Sequence, residues 1–170
     1  GPMLVGHHRG ETLGTLGYSS GGYVIPKTRA HLHFEIGVRL SDDFQAWYDW
    51  KRFGSRNEHG NYNGYNLMGF DPLDFFRDYK AHRVDNFQDY FARMPVAVTV
   101  RIATLRVPDY VRRYPTLVTK HGPMVIAGWE VGFDWTGLPC RWTPLDAAAV
   151  KGMRSNQVQI ISVDTAIEKR

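Results

Sequence analysis

Hydrophobic and polar positions alternate most regularly in the second half of the chain. Val96, Val98, Val100 and Ile102 interleave with Ala97, Thr99, Arg101 and Ala103, and that period of two predicts a strand over 96–105. Trp129, Val131, Phe133 and Trp135 repeat the pattern and predict a strand over 129–135, with Thr136-Gly137 turning the chain into a further strand at 138–142. Short extended runs at 124–127 and 157–164 complete the strands of this half, with a helical turn at 108–114 and a brief helix at 144–151 between them.

The middle of the chain has a helical period instead. Phe44, Trp47, Tyr48 and Lys51 follow Ser41-Asp42-Asp43, and acidic residues suit the positive end of a helix dipole, so a helix is expected over 42–52. Asp71-Pro72 opens a second helix, aspartate as cap and proline at the first helical position, running to about residue 80 with Leu73, Phe76 and Tyr79 facing inward. A third, capped by Asp85, carries Phe87, Tyr90 and Phe91 and stops at Pro95. Residues 53–66, dense in glycine and asparagine, read as a long irregular loop of the kind that often carries function. These elements together predict an α+β fold, mainly antiparallel β with short helices.

Before residue 40, glycines recur every third position over 11–18 and suggest a short turned strand, with a loop at 19–22 and a brief extended piece at 23–26. Then Ala30-His31-Leu32-His33-Phe34-Glu35-Ile36 alternates again. A strand there puts His31, His33 and Glu35 on one face and Leu32, Phe34 and Ile36 on the other, with the imidazoles about 6–7 Å apart. Such a pair is a seat for a metal or simply the polar outer face of a half-buried strand.

Composition narrows the classes. With 43% hydrophobic and 14% aromatic residues in 170, the chain is expected to pack rather than remain disordered. The formal charge of +4 is scattered, and no helix-turn-helix, zinc-finger or RNA-recognition pattern accompanies it, so nucleic acid is not an expected partner. Attraction to an anionic envelope polymer fits the excess equally well. There is no membrane-spanning run. The single Cys140 excludes an internal disulfide and a cysteine-rich zinc site, and reads as a small buried apolar residue. The tryptophan stripe at 129–135 reads as core, and Glu130 and Asp134 as solvated carboxylates. Gly1-Pro2 ahead of Met3 reads as the remnant of a cleaved tag and is left out of fold reasoning.

The order Gly10-Glu11-Thr12-Leu13-Gly14-Thr15-Leu16-Gly17, loop, His31-Leu32-His33-Phe34-Glu35-Ile36 and, further on, Gly69-Phe70-Asp71-Pro72-Leu73 resembles the last third of the LytM/lysostaphin-type zinc metallopeptidases, which cut peptide cross-links in bacterial cell walls. The resemblance covers residues 4–79, less than half the chain. It implies that His33 is a zinc ligand and His31 the catalytic histidine assisting the attacking water, since zinc lowers the pKa of bound water and a nearby imidazole handles the proton. It further implies that the loop bordering the substrate groove offers Tyr18 and Tyr23, and the long loop Tyr62 and Tyr65, to a peptidoglycan peptide. The expected domains are 3–80, the C-terminal part of the peptidase domain, and 81–170, an accessory α/β region; the expected location is the cell envelope or outside the cell, the periplasm included.

One departure matters. In the family, a His-x-x-x-Asp segment with two more zinc ligands comes first, and a Tyr-x-His segment supplies another active-site histidine; residues 1–30 hold neither. His7 and Glu11 have the ligand spacing, but Gly10-Glu11 already matches the Gly-Glu turn. The missing front half is therefore expected from a longer polypeptide or a separate chain. The alternative is a non-catalytic module that docks on the wall or on a partner enzyme.

Overall fold

The structure, a computed structural model, describes residues 8–18, 22, 24–119 and 121–167. The chain divides into two compact units, Gly1–Phe34 and Glu35–Arg170. Among the described residues of the first, the regular element is a single 3-10 turn, Lys27–Arg29. The second is α+β, with four helices and two antiparallel sheets.

The smaller sheet pairs β1 (Ile36–Arg39) with β2 (Leu67–Phe70), from Ile36 opposite Phe70 to Arg39 opposite Leu67. Gly37 faces Gly69, and a Cβ on Gly37 would lie 2.8 Å from the Met68 carbonyl oxygen, so the strands close only with glycine at position 37. The expected strand over 30–36 is corrected here: regular strand starts at Ile36. Its partner runs out at Phe70, because Asp71 caps the next helix and Pro72 has no N–H for a ladder. The turned strand expected over 11–18 likewise has no ladder among the described residues.

Helix α1 (Phe44–Lys51) buries Phe44 and Tyr48, as their spacing predicts, and ends where Arg52 turns left-handed at φ 53°. The long loop after it is held from inside by Asn66, which is 1% exposed. Its Nδ2 donates to the carbonyls of Ser41 (2.7 Å) and Asn61 (2.8 Å), and its Oδ1 accepts from the Ser41 N–H at 2.8 Å. One buried amide thus satisfies three backbone groups that no ladder reaches.

Helix α2 (Pro72–Lys80) starts as predicted, Asp71 Oδ1 accepting from Leu73 N–H (2.8 Å) and Asp74 N–H (3.2 Å). Its inward face is rotated from the expected one: Leu73, Phe76 and Tyr79 are exposed, and Phe75 is buried with Val84 and Tyr90. Helix α3 (Phe87–Arg93) is capped by Asn86 rather than Asp85, Asn86 Oδ1 accepting from Asp89 N–H at 3.0 Å. A short α4 (Asp109–Arg113) comes next among the helices, and Pro115 closes it.

The larger sheet holds β3 (Val98–Ala103), β4 (Gly128–Phe133), β5 (Pro139–Leu145) and β6 (Val158–Val163) in the order β5-β4-β3-β6. Its register lines up apolar rows across the strands: Ile160, Val100, Val131 and Trp142 in one, Val158, Ile102, Trp129 and Pro144 in the next. Over the β4–β5 end sit Phe91, Tyr110, Val111 and Leu117, and Val38 of β1 joins the same core. The helix expected at 144–151 is replaced by the end of β5 and a run of turns, and the strand expected at 124–127 is irregular.

Burial makes Cys140 the small core residue expected; it is 2% exposed and its thiol is pushed up to about 11. Asp134 is buried rather than solvated, its Oδ1 accepting from the N–H groups of Thr136 (2.9 Å) and Leu138 (2.8 Å) to hold the β4–β5 turn. Glu130 is tied to Arg101 at 2.7 Å. Among the described residues no helix is long and apolar enough to cross a membrane.

Arg113 fastens the small sheet to α4. Its guanidinium donates to Asp42 (2.5 Å), Asp109 (3.1 Å) and the Arg39 carbonyl (3.0 Å), while the Arg39 N–H donates to the Tyr114 hydroxyl at 3.0 Å. Burial works against charge on Asp109, but the Asp42 N–H and the Arg113 guanidinium outweigh it and hold this carboxyl below its ordinary range. A depressed folded pKa contributes stability that is complete above the unfolded value of about 3.9 and is lost as pH falls through the folded one. Acid unfolding of the wild type is therefore expected to steepen below about pH 4 relative to Asp109→Asn; parallel curves would contradict the network. Asn66→Ala strands three buried backbone groups and is expected to lower unfolding free energy by about 1–3 kcal/mol in urea titration.

Candidate histidine site

Pro26 and the 3-10 turn after it fix the carbonyl that orients the candidate site. Arg29 N–H donates to the Pro26 carbonyl (2.8 Å) and Ala30 N–H to that of Lys27 (3.1 Å). The next carbonyl, that of Arg29, lies 2.7 Å from His31 Nδ1. A carbonyl only accepts, so His31 Nδ1 carries the proton, and the neutral ring keeps its lone pair on Nε2.

That lone pair faces His33. The two Nε2 atoms are 2.7 Å apart and the ring centroids 4.5 Å, the planes tilted by 43°. His33 Nε2–H therefore donates to His31 Nε2. The expectation of two imidazoles on one side of the chain is met, but by direct ring contact rather than by the 6–7 Å spacing of a pleat; among the described residues, 30–35 form no ladder. Their apolar neighbours Leu32 and Phe34 are exposed, as are both histidines.

The donor chemistry suits a divalent metal. A zinc would sit about 2.1 Å from a ligating nitrogen, a place His33 Nε2 could offer once its proton is on Nδ1 and the direct contact with His31 has opened. His31 already has the outer hydrogen bond to a carbonyl that typically accompanies a ligating or catalytic histidine. Among the described residues no group of three or more His, Cys, Asp or Glu side chains converges. Near the start of the described residues, Glu11 N–H donates to the His8 carbonyl (3.0 Å) and His8 N–H to the Glu11 carboxylate (2.8 Å), which makes this a turn. His7 lies outside the described residues.

The tyrosines are scattered over both units. Tyr18 is exposed in the first; Tyr23 lies outside the described residues. Tyr62 and Tyr65 are exposed in the second. Arg39 sits 5.6 Å over the Tyr62 ring, and Tyr65 stacks on Phe53 at 5.1 Å and 7°, with Trp47 alongside. The structure thus gathers Trp47, Phe53 and Tyr65 into an exposed aromatic cluster. The sequence reading missed Phe53, which follows the helix period and carries no signal of its own. It also missed the Arg29 carbonyl, for which Pro26 ahead of a short polar run is the only trace. A separate cavity of about 360 Å³ opens beside β1, lined among others by Ile36, Phe70, Phe87, Phe91 and Leu117.

Compared with protein-family models, curated proteins and solved structures, the chain matches none.

The tautomers are open to measurement. In long-range proton–nitrogen correlation spectra of the neutral rings, His31 is expected as the Nδ1–H form and His33 as the Nε2–H form. An Nε2–H form of His31 would mean that the Arg29 carbonyl does not orient the ring.

Proposed function

We propose that this chain carries the C-terminal part of a LytM-type zinc endopeptidase domain that acts on peptide cross-links of peptidoglycan. The observation that supports it is the pairing of His31 and His33 through Nε2, with His31 locked by the Arg29 carbonyl. His33 would hold zinc through Nε2, as a neutral ring whose proton has moved to Nδ1. When bound, zinc supplies an acidified water and polarises the scissile carbonyl.

His31 exchanges a proton with that water. Its Nδ1–H is committed to the Arg29 carbonyl, so protonation at Nε2 produces a cation whose other N–H is already satisfied and whose ring does not turn. Zinc needs further ligands, and the resemblance assigns them to a His-x-x-x-Asp segment that residues 1–30 do not contain. The complete site therefore includes another stretch of polypeptide, from a longer chain or a separate one. Tyr18, Tyr62 and Tyr65 are exposed and remain candidates for contact with the substrate peptide.

The exposed cluster of Trp47, Phe53 and Tyr65 favours a second reading, a non-catalytic module that docks on the wall or on a partner enzyme. The two readings separate in one set of assays on the protein completed with its ligand-bearing segment. For the peptidase, His33→Ala is expected to abolish both zinc retention, measured by elemental analysis, and release of cross-linked peptides from purified peptidoglycan. Hydrolysis that survives the His31→Ala/His33→Ala double substitution would overturn it. For the module, cosedimentation with peptidoglycan persists in a chelator and in the double variant.

A further inference from the structure

The apolar rows of the larger sheet continue past the part of it that the helices cover. In the row Ile160, Val100, Val131 and Trp142, Val131 is 0% and Trp142 7% exposed, whereas Ile160 at the sheet edge is 65% exposed. Val158 and Val163 end their rows the same way, opposite Ile102 and Val98, at 58% and 57%. Strand β6 is the edge of the order β5-β4-β3-β6, and all six of its residues are exposed.

Its backbone is equally open. The Gln157 carbonyl accepts from Ala103 N–H (3.1 Å), and the Asn156 N–H donates to the Ala103 carbonyl. By alternation Gln159, opposite Arg101, also turns its N–H and C=O towards β3, which leaves those of Val158 and Ile160 pointing out of the sheet. Edge strands of this kind are usually blunted by charge or proline. Val158-Gln159-Ile160-Ile161-Ser162-Val163 contains neither; the one irregularity is the bulge after Ile160.

We infer that β6 is a self-association edge, pairing antiparallel with β6 of a second copy about a two-fold axis at Gln159. The register is self-complementary. Val158 of one copy faces Ile160 of the other, so the outward N–H and C=O groups of both close four backbone hydrogen bonds, and the apolar side chains of this pair fall on the same face, extending the core rows into the partner. Gln159 meets its own copy on the opposite face, where two amides bond to each other. An uncharged strand meets no like-charge repulsion in this arrangement, which favours a second copy over an oppositely charged partner. The bulge confines the pairing to residues 157–160, and so short an edge covers well under the roughly 1,600 Å² of a standard interface, which places the dimer in the weak, concentration-dependent class.

Sedimentation velocity of the chain across a dilution series is the test. A monomer–dimer equilibrium is expected, abolished by Ile160→Lys and retained by Leu105→Lys, a lysine at an exposed apolar site off this strand. Circular dichroism of Ile160→Lys checks that the fold is kept. As an independent readout, Gln159→Cys is expected to oxidise to a disulfide-linked dimer and Ser162→Cys not to. A wild type that stays monomeric at the most concentrated end of the series, a dimer that survives Ile160→Lys, or equal cross-linking by the two cysteine variants would overturn the pairing.

Discussion

The arrangement of residues 35–170 depends on a single cation. Arg113 stands at the end of α4 and reaches Asp42, Asp109 and the Arg39 carbonyl at once, and so ties the connection between β1 and α1 to the helix that lies over the large sheet. A lone surface pair is worth little, because water competes and two long side chains must be ordered. Here the guanidinium is only 16% exposed and shared between two carboxylates, and Arg39 adds a contact to Asp42 at 2.6 Å. The planar fork of arginine can serve several acceptors in fixed directions; a lysine in its place could not.

Beneath that fastening, the core is built by register. Each apolar residue of β3 faces one of β4, and each of β4 one of β5, so burial is cooperative along rows rather than residue by residue. Fully burying a side chain of this size contributes about 1.5–3 kcal/mol, and Trp129, Val131 and Leu138 are all buried to 2% or less. The helices and the Leu117 turn lie over one end of these rows. The other end, at β6, is exposed, and the same alternation that builds the core therefore leaves an apolar edge there.

The histidine pair is organised by different means. Neither ring is buried, and neither residue belongs to a ladder among the described residues. What orients His31 is one carbonyl presented by a turn, and what orients His33 is the lone pair that this choice of tautomer leaves on its neighbour. Such a pair is held by two hydrogen bonds of 2.7 Å each, with both rings left exposed.

Much of residues 35–170 was legible in the chain itself. The alternation over 96–105 and 129–135, the helix spacing from Phe44 to Lys51 and the Asp71-Pro72 opening all follow from local sterics and capping, and each stands within a few residues of its expected place. That His31 and His33 lie on one side was legible too, since two residues apart in extended chain share a side. Local pattern could not assign a partner to each strand, so the end of β1 at Ile36 was decided by where Phe70 gives way to a capped helix. Nor could it choose which side of α2 turns inward, because aromatic residues spread around it, Phe75 ending buried and Phe76 and Tyr79 exposed, and the position of Val84 and Tyr90 selects among them. Asp134 and Asn66 are the plainest cases: the first reads as a solvated carboxylate and the second as one more polar residue of a long loop, and only in the folded chain do the unsatisfied backbone groups around them give each a reason to be inside.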